Sequence, residues 1–380
     1  MSKLFSPTPL FERVERARRK KHKFRDTQIT LAHGSGGRAM HELVEGLFLE
    51  YLRNPLLEEL EDQAVFEIAA TATGVVGSGN NGHAQIRMAF TTDSYVVDPI
   101  FFPGGDIGKL AVNGTVNDLA MSGARPLYLS AGFILEEGFP IADLRQILES
   151  MRDAAGEAGV AVVTGDTKVV QKGSADKVFI NTSGIGVIES PVHVSSSGAQ
   201  IGDKVILSGT VGDHGTTIMI ARGELELETD IESDTAPLNG LVQAMVDEAG
   251  KALAFDAIHC LRDPTRGGVA TTLNEIASSS EVCIELDEDL IPVREEAKGA
   301  CEILGLDPLY VANEGKLIAI VAPEIAERLV KRMKENRYGR DTCLIGEVKS
   351  EPRGIVALRT GFGGTRIVDM LVGEQLPRIC

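Results

Sequence analysis

Short apolar runs alternating with amphipathic helical stretches, in two successive blocks, constrain this chain more than any other feature. The first block opens with "ITLAHGSGGRAMHELVEGLFLEYL". It reads as a short strand from Ile29, a Gly-rich turn, and a helix on which Met40, Leu43, Val44, Leu47 and Phe48 recur at helical spacing. "IRMAFTTDSYVV", after the turn residues "GSGNNGH", then "YLSAGFIL", "VAVVTGDTKVV" and "VFINTSGIGVI" have the length and apolar content of strands. Between them "IGKLAVNGTVNDLAMSG" and "IADLRQILESMRDAAGEAG" read as helices. The loop "SSSGAQIGD" interrupts the pattern before it resumes. In the second block, helices are expected at "LVQAMVDEAGKAL", "GGVATTLNEIASSS" and "PEIAERLVKRMKEN", and strands at Val205–Leu207, "CIELD", "KLIAIVA" and "CLIGEV". This mixture predicts an α/β (α+β) protein with domains at 27–195 and 196–371. A length of 380 residues agrees, at roughly 150 residues per domain. Residues 1–26 hold nine Lys/Arg against three acids and read as a solvated basic extension. Residues 372–380, "VGEQLPRIC", lack periodicity and read as a mobile tail ending in Cys380. Eight extended residues span roughly 27 Å, enough to carry a thiol from the surface into a cleft.

Composition narrows the function. Lys+Arg 38 against Asp+Glu 55 leaves a net charge of −17, and a surface this acidic repels a phosphate backbone. With no Trp and five Tyr, a base-stacking platform is not expected either, so nucleic acid is excluded as a partner class. No stretch approaches the roughly 20 apolar residues of a membrane span. Cys260, Cys283, Cys301, Cys343 and Cys380 show neither zinc nor redox spacing. An odd count without a secretory signal suits the cytoplasm, and the first four, set among apolar residues, read as buried thiols.

Chemistry concentrates in polar turns. "HGSGG" (His33–Gly37) offers backbone N–H groups ahead of a helix, a weak phosphate-binding signal. Asp62, Asp93, Asp118, Asp166 and Asp263 are expected at turns that close apolar strands, beside Thr, Ser, Asn or Gly. Hard oxygens in such a set suit Mg²⁺ and the phosphates it bridges, although any one Asp is equally a turn or N-cap residue. Lys168, two residues after Asp166, could neutralise phosphate on the same face of an extended segment; alternatively it is an exposed strand-end lysine. Glu314, before Gly315 and a buried strand, reads either as a general base or as a routine turn residue. Cys380 is a thiol on a tether, suited to being modified at one site and presented at another.

"HGSGG", "EDQA", "TTDSYVVDPIFFPGGDIGKLAVNGTVNDLAMSGARP", "TGDTKVV", "GDHG", "DPTRGGV", "NEGKL" and the terminal "PRIC" together resemble the HypE family of hydrogenase maturation factors, the carbamoyl dehydratases. That family lies within the aminoimidazole-ribonucleotide synthetase-like superfamily, and the resemblance covers roughly residues 29–380. It implies two domains, the N-terminal ones of two chains pairing through their sheets into a shared β-barrel, with ATP near the dimer interface. It implies Mg²⁺ near Asp62, Asp93 and Asp263. Nucleotide binding would fall to Gly34, Gly36, Gly37, Asp93, Asn113, Asn117, Asp118, Thr164, Gly165, Asp166 and Thr167, with Asn113, Asn117 and Asp118 at a nucleotide-facing helix start. Catalysis would fall to Cys380, Lys168 and Glu314. The implied reaction is the ATP-dependent dehydration of an S-carbamoyl group on Cys380, received from HypF, to a thiocyanate. HypC–HypD would accept the cyanide for the iron of a NiFe-hydrogenase.

Two other readings compete. An ATP-dependent synthase acting on a free small molecule would place a catalytic Cys or Lys near the N-terminal Gly-rich loop, and residues 29–40 hold neither. A non-enzymatic scaffold would leave the aspartates, Lys168 and Cys380 without a role.

Overall fold

The computed structural model describes residues 26–70, 84–189, 191–223, 229–372 and 378–380. The basic residues 1–25 and the turn 77–83 lie outside them. The first expected strand is instead a 3-10 turn, Leu31–Gly34. The Thr30 backbone N–H donates to His33 Nδ1 at 3.0 Å and the His33 N–H returns to the Thr30 carbonyl at 3.1 Å, closing the backbone on itself. The following helix is interrupted: α1 (Arg38–Leu43) passes through a π-helical turn, Val44–Phe48, into α2 (Leu49–Leu52).

Next come β1 (Ala64–Ala70), β2 (Ala84–Tyr95), the short pair β3 (Phe101–Phe102) and β4 (Gly105–Asp106), α3 (Ile107–Met121), β5 (Arg125–Glu136), α4 (Ile141–Ala158), β6 (Ala161–Val170) and β7 (Val178–Ile188). The sheet order is β1-β2-β7-β5-β6, antiparallel except for the parallel β5–β6 pair. It is an open sheet with β1 and β6 as edges, not a closed barrel. Helices α3 and α4 cover one face, around Ile107, Leu110 and Ile147. The other face leaves Ile68, Ile86, Phe90, Tyr128 and Ile134 exposed.

The second domain holds β8 (Lys204–Leu207), α5 (Asp213–Ala221), α6 (Asn239–Lys251), β9 (Ile258–Arg262), α7 (Gly268–Ser279), β10 (Cys283–Asp287), α8 (Glu295–Leu304), β11 (Ile318–Val321), α9 (Pro323–Lys334), β12 (Cys343–Lys349), β13 (Ile355–Arg359) and β14 (Thr365–Val368). Its sheet runs β14-β13-β10-β12-β8-β11-β9. Helix α7 packs on one face, with Val269 and Leu273, and helices α6 and α9 on the other, with Met245 and Leu329. Burial on both faces explains why β11 is uninterruptedly apolar.

Helix α3 positions the site. Asp106 caps it, accepting from the N–H groups of Gly108 at 2.8 Å and Lys109 at 2.9 Å. A Cβ at Gly114 would stand 2.1 Å from Tyr95 Oη, so only glycine lets β2 lie against this helix. Its last residues, Ala120 and Met121, enter the core of the second domain. The Asn117 amide spans both domains, accepting from Leu238 N–H at 2.8 Å and donating to the Ala236 carbonyl at 3.1 Å.

One ion pair makes the fold pH-dependent. His259 Nδ1 lies 2.6 Å from Asp203 Oδ2, joining β9 to the start of β8. That bond raises the His259 pKa against the opposing effect of burial. A raised folded-state pKa stabilises fully below the unfolded value of about 6.5 and is lost as pH climbs through the folded value. His259→Gln should therefore melt below wild type at pH 6, with the difference closing at alkaline pH. A difference constant across pH would exclude the ion pair as its source.

Candidate functional site

Between the N-terminal segment, β2 and α3 on one side and the β9–α7 connection on the other lies a cleft of about 660 Å³. Arg262, closing β9, holds its walls together. Its Nε lies 2.6 Å from Asp62 Oδ2, while its Nη2 donates to Glu275 Oε2 at 2.9 Å. Glu61 stands 3.7 Å from Nη1, and His41 of α1 joins through Glu275 at 2.8 Å. Beside this network Asp118 Oδ2 accepts from the Thr91 hydroxyl at 2.9 Å.

Four aspartates meet here with too little positive charge among them. Burial, then the carboxylates of Asp263, Asp93 and Asp62, push Asp118 well above the usual range. Burial raises Asp62 to about 8 despite Arg262, and Asp263 to about 6. Among the described residues no three acid, imidazole or thiol side chains converge as a ready-made metal cage. Mg²⁺ carried by phosphates does not need one. It takes one or two carboxylates and completes its shell with phosphate oxygens and water. An all-oxygen donor set under mutual repulsion fits such an ion, with Asp62, Asp93, Asp118 and Asp263 as the residues able to hold it.

The chain end reaches the same region. The backbone of residues 378–380 lies along 96–98: Val96 N–H donates to a terminal oxygen of Cys380 at 2.9 Å and Asp98 N–H to the Arg378 carbonyl at 3.1 Å. Cys380 is 7% exposed. Burial pushes its thiol up to about 12, opposed by Arg266 and reinforced by Glu314 and Asp93. Arg266 Nη2 stands 3.8 Å from Asp93 Oδ1, and its own pKa is raised, first by Cys380. Glu314 is 4% exposed, and its Oε1 is buried without a hydrogen-bond partner. Burial and then Asp93, Asp234 and Asp263 raise its carboxyl well above the ordinary value. Asp234 fixes the Glu314 backbone, accepting its N–H at 3.0 Å and the Lys316 ammonium at 3.0 Å. A Cβ at Gly315 would fall 1.8 Å from the Asp234 carbonyl oxygen, which is why glycine follows the glutamate.

The expected site residues therefore divide. Asp62, Asp93, Asp118 and Asp263 line the cleft, with Cys380 and Glu314 electrostatically joined to them. Their positions correct the strand-end expectation: Asp93 and Asp166 lie within strands and Asp118 on a helix, so only Asp62 and Asp263 sit at strand boundaries. Asn113 and Asn117 are in the body of α3, not at its start; Asn113 donates to Thr235 Oγ1 at 3.2 Å. Gly36 lines the cleft, but glycine is required at 36 and 37 because a Cβ would meet the Arg266 carbonyl at 2.6 Å and the Leu371 carbonyl at 2.5 Å. The Gly34 carbonyl accepts from Arg266 at 3.1 Å. Thr164, Gly165, Asp166, Thr167 and Lys168 do not line the cleft of the single chain. They run along the exposed edge strand β6, where Lys168, 70% exposed, pairs with Asp166 at 2.9 Å. Sequence reasoning passed over Arg262, Arg266, Tyr95 and His41. Arg266 stands inside the quoted "DPTRGGV", yet nothing local marks it as the cation facing a thiol more than 100 residues away in sequence.

Comparison with known proteins follows this architecture. The model for AIR synthase related protein, N-terminal domain, matches residues 61–188, and that for the C-terminal domain matches 200–359. Carbamoyl dehydratase HypE of Azotobacter vinelandii is 54% identical over 94% of this chain and 98% of its own. In the crystal structure of a HypE–HypF complex, one chain superposes with a TM-score of 0.77 at 48% identity, covering 87% of this chain and 99% of that one. A HypE crystal structure in complex with ATP gives 0.73 at 49% identity, covering 93% and 100%. Among the described residues no helix is long and apolar enough to cross a membrane. With both domain models matched in order and identity near one half over almost the whole length, this chain belongs to the carbamoyl dehydratase HypE family of AIR synthase-related proteins.

Proposed function

We propose that this chain uses ATP to dehydrate a carbamoyl group on the Cys380 thiol to a thiocyanate, supplying the cyanide ligand of a NiFe-hydrogenase iron centre. The observation that carries the reading is the seating of Cys380 against Arg266 and Glu314 beside a cleft of four aspartates. Mg²⁺–ATP would supply the γ-phosphoryl group that turns the amide oxygen into a phosphate leaving group. The chain's own residues do the rest. The seated tail presents the carboxamide in a water-poor pocket. Arg266 offers a fixed cation to the charge that develops on the oxygen. Both amide N–H protons must leave, one to solvent once the oxygen carries the phosphoryl group and the other as phosphate departs, and Glu314, hydrogen-bonded at the thiol, is the acceptor for the second. Burial and the neighbouring carboxylates hold the proton on Glu314; a cation bound beside them offsets part of that effect and favours the ionised form that can take a proton.

HypF is the proposed carbamoyl donor, supported by the relative solved in complex with it, and HypC–HypD the proposed cyanide acceptor. Both need residues 378–380 to leave their seat along 96–98, so the chain end alternates between seated and free. We place the protein in the cytoplasm. We also propose a homodimer whose N-terminal sheets close into a β-barrel. It is supported by β6, exposed along nearly its whole length with Val162, Val163 and Val169 facing out. Pairing there brings Thr164–Lys168 of one chain to the cleft of the other, giving Lys168 a phosphate to neutralise.

Three outcomes follow. Glu314→Gln should bind ATP normally yet dehydrate carbamoylated Cys380 at least about 100-fold more slowly, read by loss of one water in intact mass; normal dehydration would remove Glu314 as the acceptor. Asp118→Asn should lose activity while the ligand-free protein melts higher, by about 1 °C per kcal/mol of repulsion relieved. A lower melting point would show that the aspartates do not oppose one another. Val163→Lys should sediment as a monomer and lose ATP turnover, whereas a dimer of unchanged mass would move the interface away from β6.

A further inference from the structure

Two side chains that no step above uses grip the chain end. His214, the second residue of α5, is wholly buried, its ring edge-on to Phe102 at a centroid distance of 5.7 Å. Its Nε2 lies 2.7 Å from the Ile379 carbonyl oxygen, and its Nδ1 lies 2.7 Å from Ser233 Oγ. A carbonyl only accepts, so Nε2 carries the proton and donates. Nδ1 of the neutral ring then accepts, and the Ser233 hydroxyl must donate to it. Ser233 is prepared for that role, since its Oγ already accepts the Thr235 backbone N–H at 3.2 Å. Burial disfavours a second proton on the ring, so the neutral tautomer persists. Arg222, immediately after α5, donates through Nε to the Asp98 carbonyl at 2.5 Å and through a second guanidinium nitrogen to the Arg378 carbonyl.

We propose that His214 and Arg222, with Ser233 fixing the His214 tautomer, form a latch on consecutive tail carbonyls that holds Cys380 beside the cleft and whose release frees the thiol for its partners. This rests on the reading of Cys380 as the carrier thiol. His214 and Arg222 are positioning residues, acting through the backbone of Ile379 and Arg378. His214 stands at the start of α5 and Arg222 at its C-cap, so one helix carries both grips.

The test is alkylation of the ligand-free full chain by iodoacetamide, read at Cys380 by peptide mass, with half-buried Cys343 as the internal reference thiol. His214→Phe keeps the ring against Phe102 and deletes both bonds. It should alkylate at Cys380 at least about tenfold faster than wild type, the consequence of losing one buried hydrogen bond and stranding its acceptor. His214→Gln, whose amide N–H can reach the same carbonyl, should recover part of the protection, and Ser233→Ala should lie between. Cys343 should react equally in every variant; if it also accelerates in His214→Phe, that protein has unfolded and Ser233→Ala decides. Slow, wild-type-like alkylation in the variants with Cys343 unchanged overturns the latch. So does a wild-type Cys380 that already reacts as fast as in the urea-unfolded chain. If latch variants expose Cys380 yet dehydrate a carbamoylated tail at the wild-type rate, the latch stands, and the seated tail is no longer the reactive state.

Discussion

The guanidinium of Arg262 is the interaction on which the cleft depends. It is buried at the end of β9 and faces three carboxylates, two from the segment before β1 and one from α7. A buried ion pair of this kind contributes little net stability, because desolvation offsets the attraction. Its value is positional. Remove the cation and Asp62 and Glu61 lose their counter-charge while Glu275 keeps only His41, which costs far more than the pairs themselves contribute. The same cation sets where Asp62 stands relative to Asp263, the residue next to it in the chain, and through Glu275 it reaches His41 on the cover of the cleft.

Around that fixed point the site is assembled against its own stability. Burial drives up the pKa of Asp62, Asp118, Asp263 and Glu314 together, and the carboxylate of Asp93 or Asp263 adds to each. A fold selected only to be stable would place amides or apolar groups there. Carboxylates kept under repulsion are poised for a cationic ligand, since whatever neutralises them recovers the energy that their crowding costs. Ligand binding at the aspartates and the charge state of Glu314 are thereby coupled through one electrostatic field.

Much of this was legible in the sequence, and what was not has identifiable causes. Strands such as Val178–Ile188 and helices such as Ile141–Ala158 announce themselves by period and length. The run from Ile29 did not become a strand because Thr30 and His33 bond each other locally, a contest that apolar content cannot reveal. Elements such as Asp213–Ala221 and Ile258–Arg262 went unread because Gly, Thr, His and Arg dilute their apolar pattern; packing from both sides supplies what propensity lacks. The aspartates were found because Asp beside Gly and Thr is distinctive. Their positions within elements were not, since a carboxylate can be turned towards a cleft as well by the middle of a strand as by its end. Arg262 and Arg266 were invisible for a different reason: a cation acquires its meaning from partners far away in sequence.

Helix α3 carries one last consequence. It contributes Ile107 and Leu110 to the first domain's core and Ala120 and Met121 to that of the second, while the Asn117 amide bonds across the boundary. Two cores that share a helix cannot separate without both losing packing. The matched units at 61–188 and 200–359 therefore form a single cooperative unfolding unit, not two beads on a linker. Opening of the cleft by domain hinging would cost a large fraction of the global unfolding free energy. The low-energy excursions available to this molecule are local ones, such as release of residues 378–380 from their seat.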